Sequence, residues 1–338
     1  MVKQLDCSSS PKSIGRVLER VGTDWTPQLR FFRELRENGE KILYDGRVIF
    51  SDSDRNSLLE LGYNKDKLPL KQAKVVMAFS KNRFIPIFFR VIPGSIHEIG
   101  TLELLAEELG HDLILVMDKG FNSADVRKDL SERVTYLMPL KRNSSLIDYN
   151  QELESFFLWK EKPIKYTSWR RGDDFIYLYE DISLRAEEEK TYHQLLDNGK
   201  DVEFKEEEAG KITLISNQEF GPEDAYQMWK SRDQIEKAFH TLQNILDADR
   251  PWVQKEETFR GYLFGSYIGL LAYYLVLREL KEAEINSKVS VRDLLLEFSK
   301  LYKVEIGEKE TLSERSKRVR ELMESLGKED LITKKMQS

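Results

Sequence analysis

An apolar run, Leu113-Ile-Leu-Val-Met117, ends on a carboxylate, Asp118, and this segment constrains the fold more than any other. Five apolar residues without polar alternation suit a short strand buried on both faces of a sheet. A carboxylate at its end is costly to bury alone, so it calls for a metal ion, a hydrogen-bond network or solvent. A second run, Lys41-Ile-Leu-Tyr44, places Asp45 at a similar point upstream, and Glu236 lies downstream in Trp229-Lys-Ser-Arg232-Asp-Gln-Ile-Glu236. Two carboxylates on strands and one on a helix are what a two-metal phosphoryl-transfer site needs. Each also has an ordinary reading. Asp118 could accept from the turn Lys119–Phe121, Asp45 could belong to an Asp-Gly turn, and Arg232/Glu236 could be a plain i,i+4 pair worth ~0.2–0.5 kcal/mol.

The surrounding pattern predicts two short helices before residue 40, the first starting at Ser10-Pro11 and the second closed by Asn38-Gly39. Strands follow over 41–51, 72–79 and 84–91, the last two joined by the turn Ser80–Arg83. Pro93-Gly94 breaks the run, a helix covers 98–109 and ends at Gly110, and the strand leading to Asp118 comes next. This order predicts an α/β fold, a ribonuclease-H-like mixed sheet flanked by helices. A helix over 123–131 and a strand over 134–140 continue it. Aromatic-rich alternation from 150 to 217 predicts an antiparallel β insertion between the second Asp and the Glu, with one helix near 187–196. From Gly221-Pro222 helix dominates to the C-terminus.

With 338 residues, 40% hydrophobic and 33% charged, the chain has the composition of a globular protein with a sizeable core. Its lone cysteine, Cys7, excludes an internal disulfide and a multi-cysteine zinc cluster. No apolar signal segment opens the sequence, so a reducing cytoplasm is the expected setting. The uncharged stretch Gly261–Leu277, 17 residues, falls short of the ~20 that a membrane span wants and reads as a buried core helix. A net charge of -6 counts mildly against a nucleic-acid partner, whose affinity comes from neutralising phosphates. A binding surface is local, however, and Lys141-Arg142, Arg170-Arg171 and Lys317-Arg318 with Arg320 supply basic clusters, each otherwise an ordinary set of solvated charges. His97, His111, His193 and His240 lack metal-ligand spacing, and neither a phosphate-loop motif nor a nucleophile elbow occurs. A nucleotide cofactor and acyl chemistry are therefore not expected.

On an ideal helix of ~100° per residue, Trp229, Arg232, Glu236 and Gln243 fall within one polar sector. Ile235, Phe239, Leu242 and Leu246 form a separate apolar stripe, so one helix would bury a face and hold Glu236 at its edge. Asp52 and Asp54 lie near enough to Asp45 in sequence to compete for the role of first ligand.

Residues 41–280 resemble the catalytic core of a DDE transposase of the insertion-sequence-four family. The resemblance is carried by Leu43-Tyr-Asp45, Gly62-Tyr63-Asn-Lys65-Asp66, Met117-Asp118-Lys-Gly120-Phe121, Tyr136-Leu-Met-Pro-Leu-Lys141 and the Arg232/Glu236 pair. It implies Asp45, Asp118 and Glu236 as catalytic ligands of two Mg²⁺ ions, with Mn²⁺ able to substitute. It also implies double-stranded DNA, both element ends and target, as the partner of a homodimer, with no membrane involved. The expected activity is strand cleavage followed by strand transfer, with Arg232 orienting a phosphate and Trp229 and Gln243 making weaker DNA contacts. Trp159 and Trp169 could stack on a flipped base, each base–aromatic contact being worth ~1–3 kcal/mol, or could simply pack the insertion's core. The implied organisation is a short helical segment over 1–40, a catalytic domain over 41–149 and 218–285, a β-rich insertion over 150–217, and a helical region over 286–338.

The chain departs from the family pattern at three positions and in length. Trp229 stands where the pattern has Tyr, Gln243 where it has Lys, and Arg47 where Thr is common. Only 44 residues precede Asp45, so the helical end-binding region is expected to be largely missing. These departures bear on recognition of the element's ends. The alternatives are a catalytically inactive, truncated DNA-binding remnant, and a metal-dependent DNA nuclease on the same scaffold.

Overall fold

The computed structural model describes residues 10–328 apart from 52, 63, 65–67, 97, 111, 154, 247, 249–250, 252 and 307–308. Asp52, Tyr63, Lys65, Asp66, His97 and His111 therefore lie outside the described residues. The chain divides into two compact units, Met1–Tyr267 and Ile268–Ser338.

The first unit opens with helices α1 (Pro11–Thr23) and α2 (Thr26–Leu35). Ser10 caps α1, its hydroxyl accepting from the Ser13 amide at 3.2 Å, with Pro11 at the first helical position. Three antiparallel strands follow, β1 (Glu40–Phe50), β2 (Gln72–Ser80) and β3 (Ile85–Pro93). β2 is buried along its whole length, because it lies between β1 and β3 with both faces of the sheet covered. A short 3₁₀ turn leads to α3 (Leu102–Leu109), which stops at Gly110 with φ 95°, a backbone state open to glycine. Next come β4 (Leu113–Val116), α4 (Ala124–Ser131) and β5 (Thr135–Pro139), with β4 parallel to both β1 and β5. The order β3-β2-β1-β4-β5, antiparallel on one side of β1 and parallel on the other, is the ribonuclease-H-like sheet that the element order predicts.

The insertion consists of β6 (Ser155–Trp159), β7 (Lys162–Arg171), β8 (Asp174–Asp181), α5 (Ile182–Asp197) and β9 (Lys211–Ser216). β9, not singled out from the sequence, pairs with β5 on one side and β8 on the other. The insertion therefore extends the main sheet, which runs to nine strands among the described residues.

One sequence expectation needs correction. Where the pattern places Trp229 through Leu246 on one helix, the chain forms α6 (Pro222–Lys230), α7 (Asp233–His240) and a π-helical turn over Thr241–Ile245. The Ser231 hydroxyl donates to the Met228 carbonyl at 2.6 Å, and the amides of Arg232, Gln234 and Ile235 bond three residues back instead of four. The helical register resets there, and the Leu246 amide resets it again by reaching Thr241 at 3.1 Å.

α7 packs on β1 and β2, α6 on β5 and β7, and α2 on β3. Phe32 of α2 meets Phe88 of β3 and, on α8 (Glu256–Glu282), Phe264 and Tyr267. The Tyr267 hydroxyl donates to the Pro86 carbonyl at 2.9 Å. α8 is long and apolar enough to cross a membrane by length and composition alone; here Phe259, Leu263 and Tyr267 are buried in the protein core. The second unit holds α9 (Val291–Phe298), a hairpin of β10 (Lys303–Ile306) and β11 (Lys309–Leu312), and α10 (Lys317–Ser325). Its own core gathers Leu280, Val289, Val291, Leu294 and Leu322.

Candidate active site

Asp45 and Asp118 each stand two residues beyond Leu43 and Val116, which are paired on the parallel strands β1 and β4. Parallel strands in register put equivalent positions one strand spacing apart, ~4.8 Å, with side chains on the same face. The Asp45 carboxylate accepts from the Gly46 amide at 2.9 Å. Asp118 leaves β4, caps the turn Lys119–Phe121 and accepts from the Lys119 amide at 2.7 Å. The turn reading of Asp118 is therefore a real structure, whereas Asp45 and Gly46 lie inside β1, paired with Met77 and Val76, and form no turn.

Arg232, at the break between α6 and α7, ties the helix to the sheet. Its Nη1 donates to Asp118 Oδ1 at 3.2 Å, and its Nη2 lies 3.7 Å from Glu236 Oε1. One guanidinium thus faces the carboxylates of the second aspartate and the glutamate. Burial pushes the Asp45 carboxyl above its ordinary range, and the neighbouring Asp118 charge adds to the push. The Gly46 amide, Arg232 and Arg47 act in the opposite direction. Arg47 shares a β1 face with Asp45, and its guanidinium lies 5.9 Å from the centroid of the Phe239 ring on α7. Its Nε is buried with no hydrogen-bond partner.

The other predicted contacts scatter. Trp229 ends α6 and points into an aromatic group with Tyr226, 5.8 Å between centroids, and Tyr226 in turn meets Trp159 of β6 at 6.0 Å. The Trp229 indole Nε1 is buried without a hydrogen-bond partner. Gln243, in the π-helical turn, directs its amide at the Val48 carbonyl of β1 at 3.5 Å, a weak brace between helix and strand. Trp169 pairs with Ile176 of β8 and lies on the face of the hairpin opposite Trp159, since strand side chains alternate. Trp159 and Trp169 therefore do not form one surface.

Two lysines beside the tryptophans escaped the sequence reading. Lys230 Nζ lies 4.8 Å from the Trp229 ring and 5.3 Å from Tyr226, and Lys160 Nζ lies 5.6 Å from Trp159. Burial lowers the Lys230 amine, Asp181 partly restores it, and Lys162 and Lys160 lower it further. The repeated Trp-Lys dipeptide, 159–160 and 229–230, was the available signal.

A family model for the transposase DDE domain matches residues 41–275, which spans all three carboxylates. The chain belongs to this family. No curated protein matches the sequence. Among solved structures, the chain is similar to a piggyBac transposase in a synaptic complex with hairpin DNA, at 14% identity and a TM-score of 0.44, over 97% of this chain and 62% of that one. It is also similar to the Mos1 mariner paired end complex with Mn, at 11% identity and a TM-score of 0.20, over 81% of this chain and 68% of that one. The chain thus spans about 62% of the length of the piggyBac transposase chain that it matches.

Among the described residues, no three His, Cys, Asp or Glu side chains stand close enough together to hold a metal ion in this conformation. The donor chemistry nonetheless fits a hard divalent cation, because the candidate ligands are all carboxylates. Two of them already converge on one positive charge, that of Arg232, and the third is a carboxyl that burial leaves short of compensation.

Proposed function

We propose that this chain is a DNA transposase of the insertion-sequence-four type, which cleaves phosphodiester bonds at element ends and joins the freed 3′-hydroxyl to another strand. Asp45, Asp118 and Glu236 would hold two divalent cations, Mg²⁺ by preference with Mn²⁺ as a substitute. When bound, these ions supply charge stabilisation for the attacking and leaving oxygens of an in-line displacement. In cleavage, water attacks the phosphorus and the 3′-oxygen leaves; in transfer, that 3′-hydroxyl is the attacker. Arg232 would exchange its carboxylate partners for a non-bridging phosphate oxygen and orient it, a role for which the planar guanidinium is suited. Trp229 and Trp159, with Lys230 and Lys160 over their rings, would meet DNA beside the site, and Arg47 would stand where the family pattern has a neutral residue. The working form would be a homodimer assembled on DNA ends in the cytoplasm.

The observation that carries the reading is the junction at Arg232. It links Asp118 to Glu236 across 114 and 4 residues of sequence, inside the segment that matches the family. The test is nicking of supercoiled plasmid by the purified protein with Mg²⁺ or Mn²⁺, beside an Asp118→Asn variant and an EDTA control. Nicking that requires metal and disappears in the variant is expected. Intact folding and DNA binding without any nicking would replace this reading with the inactive DNA-binding remnant.

A further inference from the structure

One residue past Asp118 a groove opens that the catalytic reading does not use. It is a cavity of about 690 Å³, lined among others by Lys119, Lys141, Arg142, Tyr149, Glu188 and Lys211. Its floor is the sheet itself, the end of β5 at Pro139 and the start of β9 at Ile212 and Thr213. Four cations line it against one carboxylate, in a chain whose net charge is -6.

The four cations divide into two kinds. Arg142 and Lys211 are pinned: Arg142 pairs with Glu188, whose other oxygen accepts from the Gly210 amide at 2.9 Å, and Lys211 donates to the Tyr149 carbonyl at 3.1 Å. Lys211 Nζ also lies 5.6 Å from the centroid of the Tyr149 ring. Lys119 and Lys141 are exposed and make no ion pair among the described residues. A Cβ at Gly120 would meet nothing within 4 Å, so the wall next to Asp118 is open. Pinned charges at the adjoining ends of β5 and β9, with exposed lysines beside them, suit a polyanion whose phosphates recur along its length, and suit a single small anion poorly.

We propose that this groove carries the sugar–phosphate backbone of the DNA strand flanking the scissile phosphate, with Lys119, Lys141, Arg142 and Lys211 neutralising successive phosphates. The assignment rests on the transposase reading and adds the direction in which the strand leaves the carboxylates, across the adjoining ends of β5 and β9. Backbone contacts of this kind position DNA without reading its sequence. Binding through the groove is therefore insensitive to base sequence and sensitive to salt.

The test is the affinity of the full chain for a labelled double-stranded DNA oligonucleotide, by fluorescence anisotropy over a series of salt concentrations. It is repeated with a Lys141→Ala/Lys211→Ala double variant, a Lys141→Ala single variant, and an Arg16→Ala/Arg20→Ala control on α1. Each phosphate contact contributes ~0.9 to the slope of log K against log salt. The double variant should lose about 1.8 of that slope and the single variant about 0.9, equally for unrelated sequences, while the control keeps the parent slope. The exposed Lys141 gives a variant whose folding is not in question should Lys211 prove structurally necessary. Parent-like slopes in both groove variants, or an equal loss in the control, would overturn the groove while leaving the transposase reading standing. Failure of the unaltered chain to bind DNA at all would overturn both.

Discussion

Arg232 Nη1 stands 3.2 Å from Asp118 Oδ1, a bond between the break in the Glu236-bearing helical segment and the end of the central apolar strand. It sets a fixed cation beside two of the candidate carboxylates. The same guanidinium is 3.7 Å from Glu236, so one side chain faces carboxylates on two elements.

The two ion pairs at Arg232 differ in strength in a predictable direction. Asp118 is nearer and its side chain is 37% exposed, whereas Glu236 is farther and 53% exposed. Double-mutant cycles with alanine in urea unfolding should give a coupling of about 1 kcal/mol for Arg232–Asp118. The Arg232–Glu236 coupling should be about 0.3–0.5 kcal/mol, the value of an exposed helical pair. A larger coupling for Glu236 than for Asp118 would contradict the geometry.

At the proposed site, divalent ions and Arg232 would compete for the same carboxylate oxygens. An Arg232→Gln variant should therefore bind Mn²⁺ more tightly, by about tenfold or 1.4 kcal/mol, the scale of removing a nearby unit charge at a partly solvated site. Plasmid nicking should nevertheless fall on the order of 10²-fold or more, because a preorganised positive charge at the phosphate is gone. Thermal shift against Mn²⁺ concentration, read beside nicking rates, separates the two effects. Weaker Mn²⁺ binding in the variant would mean that Arg232 supports the ion site instead of competing with it.

The Lys230 amine lies below its ordinary value chiefly because burial penalises the cation, with Lys162 and Lys160 adding to the shift. Between the lowered folded-state value and 10.5, the unfolded chain keeps a proton that the native chain has released. This group's contribution to stability therefore rises with pH across that window and is constant above and below it. The rate of amine acylation against pH, followed by peptide mass spectrometry, should inflect below 10.5 at Lys230. It should inflect above 10.5 at Lys205, whose amine is raised by its bond to Glu208. Equal inflections at the two lysines would refute the assignment.

α1 crosses α8 with backbone against backbone. A Cβ on Gly261 would fall 1.9 Å from the Leu18 carbonyl oxygen, whereas one on Gly265, a turn later, would meet only a Leu18 methyl at 4.0 Å. Gly→Ala within a helix otherwise gains about 0.5–1 kcal/mol. Gly265→Ala should thus raise the urea midpoint, and Gly261→Ala should lower stability by about 1–3 kcal/mol, the usual cost of overpacking. A stabilising Gly261→Ala would show that the crossing is looser than described.

Much of the fold was legible in local pattern, for definite physical reasons. An unbroken apolar run marked β4, Ser10-Pro11 announced a helix start that the Ser10 cap bears out, and Gly110 announced a helix end where φ is positive. Aspartates at or beyond apolar runs stood out because water must be replaced by something when a carboxylate approaches a core. These signals depend on a residue and its near neighbours, which is all that a sequence displays directly.

The tertiary structure decided what depends on partners distant along the chain. The break at Ser231-Arg232 rests on a tighter hydrogen-bond register that no propensity forbids or demands; Trp229 stays beside Tyr226 on α6 while Glu236, on α7, faces Arg232. The role of β9 follows from its pairing with both β5 and β8, and that pairing is what joins the insertion to the main sheet. Trp159 and Trp169 looked alike in the sequence and were separated by the alternation of one hairpin. By itself the sequence determined which carboxylates are the candidates for the chemistry, because composition and local pattern fix where charge meets apolar strand. Only the folded chain decided which charges meet one another, because Asp118 and Arg232 are neighbours through strand register and helix docking and in no other way.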